Sequence, residues 1–222
     1  MTKAVIFDMF ETLITHYRTP LYFSEEMAAD AGVDTERFRS RWRELEADRT
    51  LGRITFDDTI RLILEENGAY SDKIHKLIVS KRKLTKQRCL DSMHEGIMPM
   101  IGALKSRGVK LGLISNCFSE EAEIIKASEL YKVFDAPCLS YDLKIKKPDA
   151  AIFDICIKNL GVKAEDCIYI GDGGSCELEA AENIGMRAYQ AMWYSYDSAN
   201  NVIIRDKRFP AFDDPCEVAA AL

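Results

Sequence analysis

The sequence predicts an α/β protein built on a parallel sheet, with a helical insertion directly after its first strand. Three observations carry this. Short apolar, partly β-branched runs alternate with segments of helical period, as expected for strands buried on both faces of a sheet wrapped by helices. That alternation stops between about His16 and Cys89, where one helical pattern follows another with no buried strand between them. Acidic, lysine-bearing and glycine-rich motifs stand at or near the ends of the apolar runs or before a helix, where open α/β sheets gather their functional groups.

Taken in order, Ala4-Val5-Ile6-Phe7 is the first strand, and similar runs recur at Lys110 to Ile114 and at Cys167 to Ile170. Helices are expected from Ile97 to Lys105 closed by Gly108, from Glu120 to Leu130, from Ala150 to Leu160 closed by Gly161, and from Glu177 to Ile184 closed by Gly185. In the insertion, Asp34 caps a helix through Arg41 and Leu45. Thr55 caps one carrying Ile60, Ile63 and Leu64, and Ser71 caps a third through Ile74, Leu77 and Ile78. The main unit is therefore expected over residues 1–15 and 90–222 and the helical unit over 16–89.

Composition narrows the class. With 222 residues, 47% of them hydrophobic, the chain suffices for one core and a smaller second unit. A net charge of −6 disfavours nucleic acid and anionic membrane as bulk partners and leaves room for a local basic pocket that takes a small anionic substrate. No apolar run approaches the ~20 residues of a membrane span, and Met1 to Phe10 lacks a signal-peptide pattern, so a cytoplasmic protein, monomer or homodimer, is expected. Seven cysteines without a C-x-x-C pair read as reduced, mostly packed thiols.

Alone, Asp8 serves equally well as a hydrogen-bond acceptor at a strand end. Ser115-Asn116, Lys147-Pro148-Asp149 and Gly171-Asp172-Gly173-Gly174-Ser175 change that reading, because all should converge on it. A carboxylate nucleophile facing a phosphate needs cations and donors to offset the repulsion. Asp172 with magnesium, Lys147, and the Ser115 hydroxyl with nearby backbone N–H groups supply them.

Asp8-Met9-Phe10-Glu11-Thr12-Leu13, Ser115-Asn116, Lys147-Pro148-Asp149 and Gly171-Asp172 through Glu177 together resemble the four ordered motifs of the haloacid dehalogenase superfamily. The resemblance implies a Rossmann-like core with a helical cap, and a covalent aspartyl intermediate resolved by water. It implies Asp8 as nucleophile, Ser115 and Asn116 in the phosphoryl-binding loop, Lys147 between Asp8 and substrate, and Thr12 closing the first loop. The magnesium ligands it implies are Asp8, the Phe10 carbonyl and Asp172, with Glu177 reaching the metal directly or through water.

Phe10 departs from the pattern, since phosphatases of this family carry there an aspartate that protonates the leaving group. A general acid contributes ~10²–10⁴-fold. Glu11 is adjacent, but neighbours in an extended loop point apart. An aromatic residue at this position resembles the 2-haloacid dehalogenase branch, whose aspartate attacks carbon through an ester intermediate; acidic Asp172 and Glu177 favour magnesium and phosphate instead. A third reading is a catalytically weak phosphate-binding or regulatory protein. His16, His75 and His94 carry no pairing signal, and Lys81-Arg82-Lys83 reads as a solvated helix face.

Overall fold

A computed structural model describes residues 2–195 and 203–221; the outermost residues of the expected main unit, and 196–202 within it, lie outside the described residues. The chain runs β1 (Ala4–Phe7), α1 (Ser24–Ala31), α2 (Thr35–Glu44), α3 (Glu46–Thr50), α4 (Phe56–Glu66), α5 (Asp72–Asp91), α6 (Ile97–Ser106), β2 (Lys110–Ser115) and α7 (Ser119–Ala127). It continues through β3 (Ala136–Leu139), α8 (Ser140–Leu143), α9 (Ala150–Leu160), β4 (Cys167–Gly171), α10 (Glu177–Asn183), β5 (Arg187–Ala191), β6 (Ala211–Phe212) and α11 (Pro215–Ala220).

All strand pairs are parallel, in the order β3-β2-β1-β4-β5-β6, which puts β1 in the middle with β2 and β4 on either side. Strand alternation decides the two cores. Val5 and Phe7 face a cluster with Ile97, Ile101 and Leu104 of α6 and Val218 of α11, while Ala4 and Ile6 face Ile152, Phe153 and Leu160 of α9 and Leu178 of α10. The sheet is thus covered on both sides, a Rossmann-like α/β core.

Helices α1 to α5 lie between β1 and β2 in sequence and close round their own apolar cluster of Met27, Phe38, Phe56, Ile60 and Ile78. Asp34, Thr55 and Ser71 accept the N–H groups of Arg37, Asp58 and Ile74, as their capping positions predict. Helix α9 spans its predicted residues and ends on left-handed Gly161. The helix expected from Glu120 to Leu130 stops at Ala127, because Ser128 turns extended (ψ 155°) and its hydroxyl takes the Ile125 carbonyl. Of the described cysteines, five are buried and Cys176 and Cys216 exposed, none of them in a disulfide. Among the described residues no helix is long and apolar enough to cross a membrane.

Candidate active site

Register brings the motifs together. Phe7 pairs with Leu113 on one side and Ile170 on the other, so Asp8, Ser115 and Asp172 all emerge at the carboxyl ends of the three central strands. The Asp8 N–H donates to the Ile170 carbonyl (2.9 Å). After Asp8 the chain makes one tight turn, with Leu13 and Ile14 N–H donating to Met9 O at 2.9 and 3.0 Å. Two ring donors from the far side of the core pin this turn: Trp193 Nε1 on Thr12 O (2.7 Å) and Tyr194 OH on Leu13 O (3.0 Å).

Lys147 Nζ contacts Asp8 Oδ1, pairs with Glu177 Oε2 (2.5 Å) and lies 3.2 Å from the Tyr169 hydroxyl. Asn116 fixes the backbone that carries it: the Lys147 N–H donates to Asn116 Oδ1 (2.8 Å), and Asn116 Nδ2 donates to the Lys147 carbonyl (3.1 Å). Asn116, expected among the substrate-binding residues, thus uses both ends of its amide to position the lysine. Glu177 lies fully buried because residue 171 is glycine; a Cβ there would collide with Glu177 Oε1 and crowd the Tyr169 ring.

One carboxylate oxygen each from Asp8, Asp172 and Glu177 lies within 4.8 Å of the others. Three carboxylates around one ammonium are electrically unbalanced. Burial, reinforced by Glu177 and opposed by Lys147, pushes Asp8 up to about 7. Burial with Glu177 and Asp8 lifts Asp172 well above the carboxylate range. Burial alone would lower Lys147, yet Asp8 and Glu177 outweigh it and raise it. A hard divalent cation that favours oxygen donors fits this set, and the excess negative charge is what such an ion would offset.

The pocket over these groups, about 190 Å³, is lined by Asp8, Phe10, Glu11, Asn116, Lys147, Asp172, Gly174 and Ser175. Thr12 and Ser115 are fully buried, and their hydroxyls have no hydrogen-bond partner among the described residues. Ser115 Oγ is therefore a donor of the kind a phosphoryl oxygen would satisfy.

The Phe10 side of the pocket departs from expectation. Glu11 is not extended; it sits in the left-handed region (φ 59°), and its carboxylate accepts from Thr15 Oγ1 and the His16 N–H (3.1 Å) and meets His16 Nδ1 (2.7 Å). His16, read as unpaired, is half-buried there with Phe10 stacked on it (centroids 4.8 Å apart) and Lys86 against its Nε2. Arg82, read as part of a solvated face, is 2% exposed and donates to Glu120 and Glu121 of α7, both at 3.0 Å, while Lys86 pairs with Glu121 at 2.6 Å. Sequence signals for these existed: Thr15 and His16 stand four and five residues after Glu11, and Arg82 and Lys86 share a helix face at i and i+4. Tyr169 was missed as well, although a phenol inside the otherwise apolar Ile168-Tyr169-Ile170 run marks a partner nearby.

Comparison with known proteins agrees with this architecture. A family model described as haloacid dehalogenase-like hydrolase matches residues 2–185. The chain is 26% identical over 194 residues to glyceraldehyde 3-phosphate phosphatase of Methanocaldococcus jannaschii, covering 84% of this chain and 83% of that one. It is 27% identical over 174 residues to (S)-2-haloacid dehalogenase 4A of Burkholderia cepacia, covering 76% and 74%. It superposes with a TM-score of 0.64 at 17% identity on an enzyme of this family from Bacteroides thetaiotaomicron solved with magnesium and inorganic phosphate, over 86% of this chain and 94% of that one. With the matched region running from before β1 to beyond α10, the chain belongs to the haloacid dehalogenase-like hydrolase family.

Proposed function

We propose that this hydrolase is a magnesium-dependent phosphatase of small phosphorylated metabolites that works through a phosphoryl group carried on Asp8. The observation that supports this best is the unbalanced cluster of Asp8, Asp172 and Glu177 around Lys147. A magnesium ion held by Asp8, the Phe10 carbonyl and Asp172, with Glu177 close by, would supply charge stabilisation to the phosphoryl group. Asp8 attacks phosphorus, forming the Asp8–phosphorus bond as the ester oxygen departs. Ser115 Oγ and Thr12 Oγ1 are the orphaned hydroxyls offered to the phosphoryl oxygens and the first loop. Lys147 holds Asp8 ionised and oriented through Oδ1. Water then attacks phosphorus and frees Asp8.

In this reading residues 16–89, which hold helices α1 to α4 and α5 up to its last two residues, form the cap, and the seven cysteines suit a reducing, cytoplasmic setting. A second reading, 2-haloacid dehalogenase, draws on Phe10, which needs no proton to give. Against it, three carboxylates that share only Lys147 oppose an anionic haloacid unless a metal ion joins them. A panel of phosphate esters and 2-haloacids, each assayed with magnesium and with excess chelator, tests both. Magnesium-dependent ester hydrolysis supports the phosphatase; turnover of 2-haloacids alone, unaffected by chelator, establishes the dehalogenase.

A further inference from the structure

At about 190 Å³ the pocket over Asp8 falls below the ~300–1,000 Å³ typical of ligand sites, so it accommodates the reacting group and little more. The body of a substrate must extend elsewhere. Towards α5 the space is filled, because Phe10 stacks on His16 and Lys86 sits over the Phe10 ring at 4.9 Å. On the other side the pocket shares Glu11, Asp172 and Gly174 with a larger open chamber of about 370 Å³ that Tyr17, Arg208 and Phe209 also line.

The far wall of this chamber is registered to the site by one side chain. Gln190, 2% exposed, donates from Nε2 to the Asp172 carbonyl and the Ile204 carbonyl, both at 2.9 Å, and accepts the Asp206 N–H at 2.8 Å. Among the described residues the lining holds one guanidinium, Arg208, and it is already paired: its Nε donates to Asp206 Oδ2 (2.9 Å) and its Nη2 meets Glu179 Oε1 (2.5 Å). Even with Asp172 given over to the metal, Glu11, Glu179 and Asp206 outnumber Arg208 among the described lining residues, and Leu178 and Phe209 add apolar surface.

We propose that this chamber receives the alcohol portion of the substrate and selects phosphate esters whose alcohol is uncharged or carries an amino group over those bearing a carboxylate or a second phosphate. The assignment rests on the phosphatase reading above. A second anion placed there meets surplus negative charge and finds Arg208 already paired; an ammonium or a polyol does not.

The test compares kcat/KM, with magnesium, for O-phosphoethanolamine and glycerol 3-phosphate against 2-phosphoglycolate and 3-phosphoglycerate. The expected preference for the first pair is about tenfold or more, the size of one charge interaction a few ångströms away near a protein surface. Arg208→Ala should widen the preference. The double variant Glu179→Gln/Asp206→Asn, which releases the guanidinium, should narrow or reverse it, chiefly through KM. Hydrolysis of p-nitrophenyl phosphate is followed alongside, with thermal melts as a check on folding. If that ester is hydrolysed in a magnesium-dependent way but the carboxylate esters are preferred, or neither variant moves the ratio, the chamber assignment is overturned while the phosphatase reading stands. If p-nitrophenyl phosphate and all four esters are untouched, the phosphatase reading falls and the chamber assignment with it.

Discussion

Two groups of largely buried carboxylates and cations lie within this molecule, and at Asp8 and Glu121 they act in opposite ways. At the carboxyl ends of β1 and β4, Asp8, Asp172 and Glu177 crowd a single lysine, and mutual repulsion with burial drives Asp8 up to about 7. Between α5 and α7, Arg82 and Lys86 meet Glu120 and Glu121 charge for charge. There burial would raise Glu121, but Lys86 and Arg82 prevail and hold it down at about 2. The difference is charge balance: the first group carries surplus carboxylates beside the pocket over Asp8, whereas the second pairs its charges across two packed helices. Burial of charge therefore marks neither group as functional. An imbalance beside a pocket does.

The largest effect expected from breaking this contrast is at Asp8, the proposed nucleophile. Asp8→Asn should lower magnesium-dependent hydrolysis of an activated phosphate ester by on the order of 10⁴-fold or more while leaving the fold intact by circular dichroism. Full turnover in that variant would remove Asp8 from the chemistry. Glu121→Ala strands Lys86 and half of Arg82 in the interior, and loss of one partner from a buried pair costs ~3–5 kcal/mol. Its urea midpoint should fall accordingly, and an unchanged midpoint would show that the α5–α7 joint is not holding the structure.

The same joint has a defined acid limit. Because the folded-state value of Glu121 lies below its ordinary 4.5, at about 2, its contribution is complete above the ordinary value and is lost as pH falls from there towards 2. The stability difference between the parent and Glu121→Gln should shrink over that window; a difference that grows on acidification contradicts the assignment. Asp172→Asn should act the other way from Glu121→Ala, since removing one of three crowded carboxylates relieves repulsion. In metal-free protein it is expected to raise stability by about 1 kcal/mol and to abolish the rise in Tm that magnesium is expected to give the parent. The smallest effect concerns Phe10→Asp, which should flatten the dependence of log kcat/KM on leaving-group pKa by helping poor leaving groups most. A parent slope already near zero, with chemistry rate-limiting, would mean that another residue supplies the proton.

What could be read beforehand follows the same division between local and long-range causes. The caps at Asp34, Thr55 and Ser71 and the apolar strands β1, β2 and β4 are written in a few adjacent residues, and so are the motif loops that follow them. Strand β3 was not legible because Pro137 interrupts it, which an edge strand tolerates and a central one does not. Strand β5, Arg187-Ala188-Tyr189-Gln190-Ala191, has no β-branched residue and is held by its neighbours rather than by propensity. Arg82 looked exposed because its partners Glu120 and Glu121 stand on a helix far along the chain, and Lys86, which meets His16 Nε2, stands 70 residues beyond it. Glu11 was assigned an extended backbone, whereas the tight turn after Asp8 demands a left-handed residue one position before Thr12.

The strand order has a further consequence for how such a protein can diversify. Asp8, Ser115 and Asp172 hang from β1, β2 and β4, three strands locked together in the interior of the sheet. The wall of residues 203–209 hangs instead from the margin, beside the two-residue β6, and Gln190 clasps it to Asp172. Mutations at the margin disturb few sheet contacts, so they can drift and be tried against new molecules while the centre stays fixed. An ancestral chemistry can in this way be inherited whole as its clientele changes, with one glutamine serving as the seam between the part that is preserved and the part that is free to vary.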